Sequence, residues 1–568
     1  MTRHNVHLFR LATLYILFAA TASAQTKPVP PPRPTEAGAD AKVPTVQERE
    51  EAKEEPKLPR IDLPEFVITG VARFDPPDIQ KVSVEEDGIY RRTGMAQPGV
   101  RDVATVELGT RPKERFFRPP GRSFFGVATA SYGSFVSPFA FARFGQDLGT
   151  LEYALEAQYH RTKGFQKYAD RSGGKFAATS AVNLNSASSW LDEAELSGRL
   201  GLGSEKYRFY GSIDPTFTRT LGHFDIGGSF VSGKESPIGY KLRTSFKNFS
   251  IQDSSEKSRE NAFYLGIQGE KSIGSIGIRS GVDFTLTSVG SATDHTLSMT
   301  SLYLGTSRTW LKNLFVEIGA RYVAARGMEN QRISRLAPRA AIGYWFSGMH
   351  TVSVTYESAV RFISLQNQIA RSPFLNAQSV LKHATDRYVV EGALDSDWNR
   401  WLSSRFSVRR SRIDHVPILR DSARTGVWSL SYRGLTDLTT ARVGAFANIS
   451  ANDYFAVVVE GNHSRNPSTN GKIPYLPEVE ATVRYSHRFS FGLSVTPALQ
   501  YVHHRPVSAD SSGRLPGFLL TSFALELSGI RSLTIFARAD NVLDKQYEVW
   551  QRYRGLPFAA TFGLSYRW

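Results

Sequence analysis

The sequence predicts an all-β fold: a transmembrane antiparallel β-barrel of about 22 strands over residues 121–568, led by a disordered arm rich in Pro, Glu and Lys. Three observations predict it. Beyond Ser123, stretch after stretch alternates apolar and polar residues at period two, which puts the two kinds on opposite faces of a strand. Many stretches keep this up for about ten residues or more, the length of a tilted membrane strand rather than the ~5–6 of a soluble one. The connectors alternate between tight and long, the habit of barrels with short turns at one rim and long loops at the other.

The first element is a leader. "MTRHNVHLFR" is a basic stretch, "LATLYILFAA" an apolar core, and Ala22-Ser23-Ala24 a small-residue site before Gln25. This is the pattern of a secretory signal peptide over residues 1–24, and its apolar run falls short of the ~20 residues a membrane helix needs. No later segment has that unbroken apolar length, so a membrane-spanning chain must cross with a closed barrel. Residues 25–60, "QTKPVPPPRPTEAGADAKVPTVQEREEAKEEPKLPR", carry too little apolar surface to fold alone and predict a flexible periplasmic linker. Residues 61–120 hold one strand-like run, "LPEFVITG", in which Glu65, Phe66, Val67, Ile68, Thr69 and Gly70 form a candidate partner-docking strand. A short exposed strand can add to a partner's sheet edge; the alternative is a strand lying in the barrel mouth. The rest of the interval is interrupted at Pro76-Pro77, Pro98, Pro112 and Pro119-Pro120.

The barrel strands follow. "FVEIGARY" sets Val316, Ile318, Ala320 and Tyr322 against Glu317, Gly319 and Arg321. "TVSVTYES" sets Val352, Val354 and Tyr356 against Ser353, Thr355 and Glu357. Tight connectors are expected at 146–149, 204–206, 272–274, 310–313, 347–350, 397–400 and 450–453. Long ones are expected at 162–193, 327–333, 363–386, 414–436, 465–477, 504–518 and 541–558. The final stretch, "FGLSYRW", places Phe562, Leu564, Tyr566 and Trp568 on one face as the barrel-closing strand, with the apolar face turned to lipid. This strand is also the element that barrel-assembly machinery would engage. Trp310, Trp345, Trp401 and Trp568 fall near strand ends, where an interfacial aromatic girdle belongs.

Composition narrows the chemistry. Cysteine is absent, which removes disulfides, thiolate nucleophiles and thiolate metal sites. The net charge of +16 suits anionic lipid or an anionic solute, and export sets nucleic acid aside. No zinc-protease helix, nucleophile elbow or glycine-rich phosphate loop occurs, so no enzyme, cofactor or metal site is expected. His463, His487, His503 and His504 lack carboxylates at ligand spacing and read as solvated lumen or loop residues. Arg143, Arg199, Arg208, Arg321, Arg339, Arg409, Arg442, Arg484 and Arg538 fall on strands. An arginine on the lipid face costs about 2–4 kcal/mol at the midplane, so these belong to the lumen, with Arg321, Arg484 and Arg538 as candidate lumen charges.

The C-terminal hundred residues resemble the end of TonB-dependent receptor barrels. "LTSFALELSGIRSLTIFARADNVLDKQYE" (520–548) leads into a box, Asn541-Val542-Leu543-Asp544-Lys545-Gln546-Tyr547, and then into "FGLSYRW". "LAPRAAIGYWF" (336–346) and "LPEVEATVRYSHRF" (476–489) resemble inner strands of the same barrels. Asn541, Leu543, Asp544 and Tyr547 match the family box, whose Asn and Asp suit a turn leaving the barrel. The resemblance implies a barrel in the cell outer membrane and solute transport across it, and one chain of this size can close a barrel alone, so a monomeric barrel is expected. It also implies an energy-coupling or other periplasmic partner reached through residues 25–120. The family's plug is larger than the interval Val71–Pro120, so the plug is expected to be missing or reduced. That keeps a second reading open: a plugless assembly barrel holding a partner protein in its lumen or through its arm.

Overall fold

The computed structural model describes residues 124–568, apart from positions 185, 187, 234–235, 255, 291–293, 311–312, 347–348, 400, 422–423, 511–512 and 531. The expected leader (1–24), linker (25–60) and docking strand (Glu65–Gly70) lie outside the described residues. From Phe124 the chain forms one antiparallel sheet of 22 strands that closes on itself. The first strand, Phe124–Gly133, pairs with the second, Ser137–Asp147, and also with the last, Ala559–Arg567. The closing register runs from Val127 opposite Arg567 to Gly133 opposite Thr561. One step beyond, Gly126 and Trp568 exchange both backbone bonds, at 3.1 and 3.2 Å.

Closure leaves no edge, so the wall strands are paired on both sides, which a low-dielectric surround demands. Period-two alternation then sorts side chains into two surfaces. Leu304, Ile318 and Leu336 stand 63%, 60% and 65% exposed on the outer face. Glu317, one residue from Ile318, is buried against the inner wall, 3.2 Å from Arg339. A broad outward apolar band on a closed barrel is stable only in lipid, and with this architecture the protein sits in the outer membrane. The turn rim is aromatic: Trp310, Trp398, Trp401 and Trp568 are exposed there beside Tyr344, Phe346, Phe491 and Tyr566.

Several expectations need correction. The expected turn at 204–206 lies inside the strand Ala194–Arg208, and the expected loop 162–193 contains the whole strand Arg171–Leu184. The two misreadings have separate causes. Strands run past the bilayer at the long-loop end, where Glu205 pairs with Arg171 across the ladder partner column and needs no apolar neighbour. Arg171–Leu184 is rich in Gly, Ala and Ser, and Phe176 is its one large exposed apolar side chain. Trp345 does not join the girdle: it alternates with outward Tyr344 and Phe346 and packs on Phe315 inside, ring centroids 6.4 Å apart. Arg208 alternates onto the outward face near the long-loop end, 3.3 Å from Asp170.

Candidate functional site: a loop cap across the bore

The long loops do not splay outward. The segments 209–217, 362–383, 415–435, 466–478, 503–517 and 541–558 converge on one apolar core. Its centre is aromatic. Tyr553 stacks on Phe374 with centroids 3.7 Å apart, and Trp428 lies 5.5 Å from Trp550 and 5.2 Å from Tyr553. Tyr475 lies 4.6 Å from Trp550, and Phe209 lies 5.3 Å from Phe374. Phe209, Leu365, Leu375, Leu381 and Tyr553 are fully buried.

The geometry requires these loops to cross the bore. Segment 209–217 follows the fifth strand and 415–435 follows the fifteenth, close to half a turn of the 22-strand ring. Yet the Ile213 amide donates to the Thr425 carbonyl at 2.8 Å. Gly426 comes so close that a Cβ there would lie 2.6 Å from the Gly211 carbonyl oxygen, and its φ of +80° already excludes most side chains. The Tyr553 hydroxyl, from the segment before the last strand, donates to the Gly426 carbonyl at 2.7 Å. Burial pushes that hydroxyl's pKa up, so it stays a neutral donor.

Two buried arginines fasten the cap. Arg219, at the top of the sixth strand, Thr218–Val231, binds Asp253 bidentately at 2.7 and 2.6 Å. Its other nitrogen donates to the carbonyls of Pro373 at 2.9 Å and Leu375 at 2.6 Å. Every face of the guanidinium is used, since it also lies 4.8 Å over Phe209. Arg505 donates to the carbonyls of Val549 at 2.8 Å and Glu548 at 2.5 Å and lies over Phe518. Burial brings its pKa down to about 10, still fully charged at neutral pH. The short helix Leu365–Arg371 is capped by Ser364, whose hydroxyl accepts from the Asn367 amide. The Leu365 amide donates to Glu260 on the eighth strand.

His383 ends the helix-bearing loop. Its Nδ1 accepts from the Ile363 amide at 3.2 Å and its Nε2 lies 3.0 Å from the Arg326 carbonyl, which fixes the neutral tautomer with the proton on Nε2. Burial lowers its pKa to about 4.

The residues singled out in the sequence are distributed between wall and loops. Phe562, Leu564 and Tyr566 are exposed outward on the closing strand, and the Trp568 ring lies over outward Gly126. Arg321, Arg484 and Arg538 alternate to the lumen side of their strands; Arg538 is 2.8 Å from Asp540, and Arg321 lies over Tyr303. Other wall arginines are paired too, Arg199 with Asp225 and Arg339 with Glu317, so the arginine count overstates how basic the lumen is. The box residues build a turn. Asn541 is buried, accepts from the Lys545 amide and donates to the carbonyls of Lys545 and Leu556. Asp544 accepts from the Phe558 amide, Tyr547 packs over Gly555 and Phe518, and Leu543 is exposed.

The histidine reading is corrected. His487 is 2.7 Å from Asp453 and His503 is 3.7 Å from Glu478, carboxylates supplied by neighbouring strands or loops. The pairing of Asp453 with His487 is set by ladder register, which sequence spacing does not display. His463 and His487 also alternate onto the outer face rather than the lumen. Among the described residues no three His, Asp or Glu side chains are grouped to hold a metal ion. The cap itself was not foreseen from sequence; the aromatic content of the long connectors, Phe374, Trp428, Tyr475, Trp550 and Tyr553, was its available signal.

Comparison with solved structures supplies the family of folds. The FrpB iron transporter from Neisseria meningitidis (F3-3 variant) superposes with a TM-score of 0.64 at 11% identity, covering 79% of this chain and 82% of that one. The fold is that of the TonB-dependent receptor barrel. The copper transporter OprC matches with a TM-score of 0.62 at 11% identity over 78% of this chain and 80% of that one. The siderophore receptor PiuA from Acinetobacter baumannii matches at 0.60 and 9% identity over 79% and 82%. No protein-family model and no curated protein matches the sequence. At these identities the TonB-dependent receptor barrel is shared as architecture.

Proposed function

We propose that this protein is a gated transport barrel of the outer membrane, in which the loop cap is the outer gate. One observation carries the reading: segments rooted on nearly opposite sides of the ring hydrogen-bond to each other over a buried aromatic core. Solute passage on that side therefore requires the cap to move. The similar structures, iron and copper transporters and a siderophore receptor, support transport as the general role. Residues 1–24 serve export and 25–60 act as a periplasmic linker. Residues 61–120 act from the turn side, with Glu65–Gly70 docking an energy-coupling or other periplasmic protein and the remainder partly occluding the lumen. The barrel works as a monomer.

Planar-bilayer conductance tests this with three proteins: the mature chain, a chain beginning at Pro120, and that shorter chain carrying Tyr553→Ala. The cap seal predicts that the first two are nearly silent and the third conducts, since removing a buried ring costs about 3–5 kcal/mol of packing. Strong conductance from the Pro120 chain with Tyr553 intact would overturn the outer gate and leave residues 61–119 as the seal. Silence from all three would favour the platform reading, with a barrel that holds a partner rather than passing a solute.

A further inference from the structure

In the half of the bore nearer the turns, away from the cap, the inner wall is hollowed between the third strand, Leu151–Thr162, and the eighth, Lys257–Ile273. Two ladder rows shape the hollow. The upper runs Ala154–Thr179–Arg199–Gly227–Ser245–Tyr264. The row beneath it runs Glu152–Ala181–Ser197–Ser229–Arg243. Apart from Arg199, Tyr264, Glu152 and Arg243, these side chains are Gly, Ala, Ser or Thr, too small to fill the space inside the wall. The tenth to twelfth strands turn Tyr303, Arg321 and Arg339 inward instead. The difference leaves a recess of about 620 Å³, the size of a small-molecule site.

The lining has a consistent chemistry. Thr179, Ser197, Ser229 and Ser245 bring hydroxyls to the floor. Ser197 and Ser229 hydrogen-bond each other at 2.8 Å, which leaves acceptor capacity on both oxygens. Arg243 is exposed in the recess, and among the described residues its guanidinium has no carboxylate or carbonyl partner. Arg199 stands in the row above, its side chain 65% exposed and 3.3 Å from Asp225. Arg143 and Glu152 close the near end, and Glu195 edges the recess toward the turns. The two carboxylates accept from hydroxyl groups and repel a like charge. The fork of Arg243 matches the two oxygens of a carboxylate. Hydroxyls on the floor, acceptors at one margin and an unshared guanidinium at the other suit a polyol that carries a carboxylate.

We propose that this recess binds an acidic sugar, with its carboxylate on Arg243 and its ring hydroxyls over the Ser197–Ser229 floor. The inference rests on the transport reading, to which it adds an inner station on the wall, separate from the cap.

The test is isothermal titration calorimetry of the mature chain in detergent with three probes: digalacturonic acid, its neutral counterpart galactobiose, and acetate. Heat-modifiable mobility reads barrel folding in every variant. The acidic disaccharide is expected to bind about tenfold or more tightly than the neutral one, the difference a charge-assisted hydrogen bond contributes, and acetate to bind weakest. Arg243→Gln brings the acidic disaccharide down to the affinity of the neutral one, while Arg243→Lys retains part of the preference. Ser229→Tyr, which fills the floor, abolishes binding of both sugars and leaves heat-modifiable mobility intact. Equal affinity for the two sugars, acetate binding as tightly as the acidic disaccharide, or an unchanged affinity in Arg243→Gln would overturn the proposal. Failure of every probe to bind would overturn it too and leave the outer gate standing. The recess is reached from the turn side without cap motion, so a conductance result against the gate does not alter the calorimetry.

Discussion

At the scale of single residues, the cap depends on buried polar groups that are satisfied in only one way. Removing the Arg219 guanidinium would strand Asp253 in a buried site and release the Pro373 and Leu375 carbonyls together. His383 converts the same logic into a pH response. Its folded pKa, about 4, lies below the ordinary 6.5 because burial disfavours the imidazolium. As pH falls below about 6.5 the unfolded loop takes up a proton that the folded loop refuses, so stability declines until the pH reaches the folded value and then levels off. Across that window His383 should cost the cap about 3 kcal/mol, on the order of the shift converted at 1.36 kcal/mol per pH unit. Limited proteolysis of segment 362–383, followed from pH 7 to pH 4, should show rising cleavage in the native protein. In His383→Gln, which keeps a donor and an acceptor without titrating, cleavage at low pH should fall below that of the native protein, leaving the opposite contribution of Glu260, whose pKa burial raises to about 7; an unchanged profile would assign the effect elsewhere.

At the scale of elements, the long loops behave as one folded unit because their backbones touch. Gly426 is where the 415–435 segment reaches 209–217, with a positive φ and no room for a methyl group. Gly426→Ala combines left-handed strain with a clash against the Gly211 carbonyl oxygen. The expected outcome is a cap loosened by about 1–3 kcal/mol, seen as protease cleavage in both segments while the barrel keeps its heat-modifiable mobility. Cleavage confined to 415–435 would mean the two loops open independently. The strand–turn order of these elements was legible in the alternation and connector lengths. The strand Arg171–Leu184 was not, because a wall segment of small residues carries almost no period-two signal.

At the scale of the whole molecule, lipid decides which face is which. Ile318 stands outward and Arg321, three residues later, faces the lumen over Tyr303. Ile318→Arg should therefore lower the folding stability in lipid vesicles by about 2–4 kcal/mol, measured by urea titration. An equal cost in detergent and lipid would argue against a bilayer-embedded band.

The sequence by itself determined the barrel: its antiparallel strands, its closing strand and its outer-membrane setting. These depend on local facts, the alternation of side chains and the hydrocarbon they must meet, repeated strand by strand. Only the tertiary structure decided where the long loops go, which arginines find carboxylates, and that Trp345 turns inward. Each of these depends on residues brought together by ring closure and ladder register, as Ile213 meets Thr425 and His487 meets Asp453. Such pairings join positions far apart in the chain, and no spacing within the sequence encodes the circumference that brings them into contact.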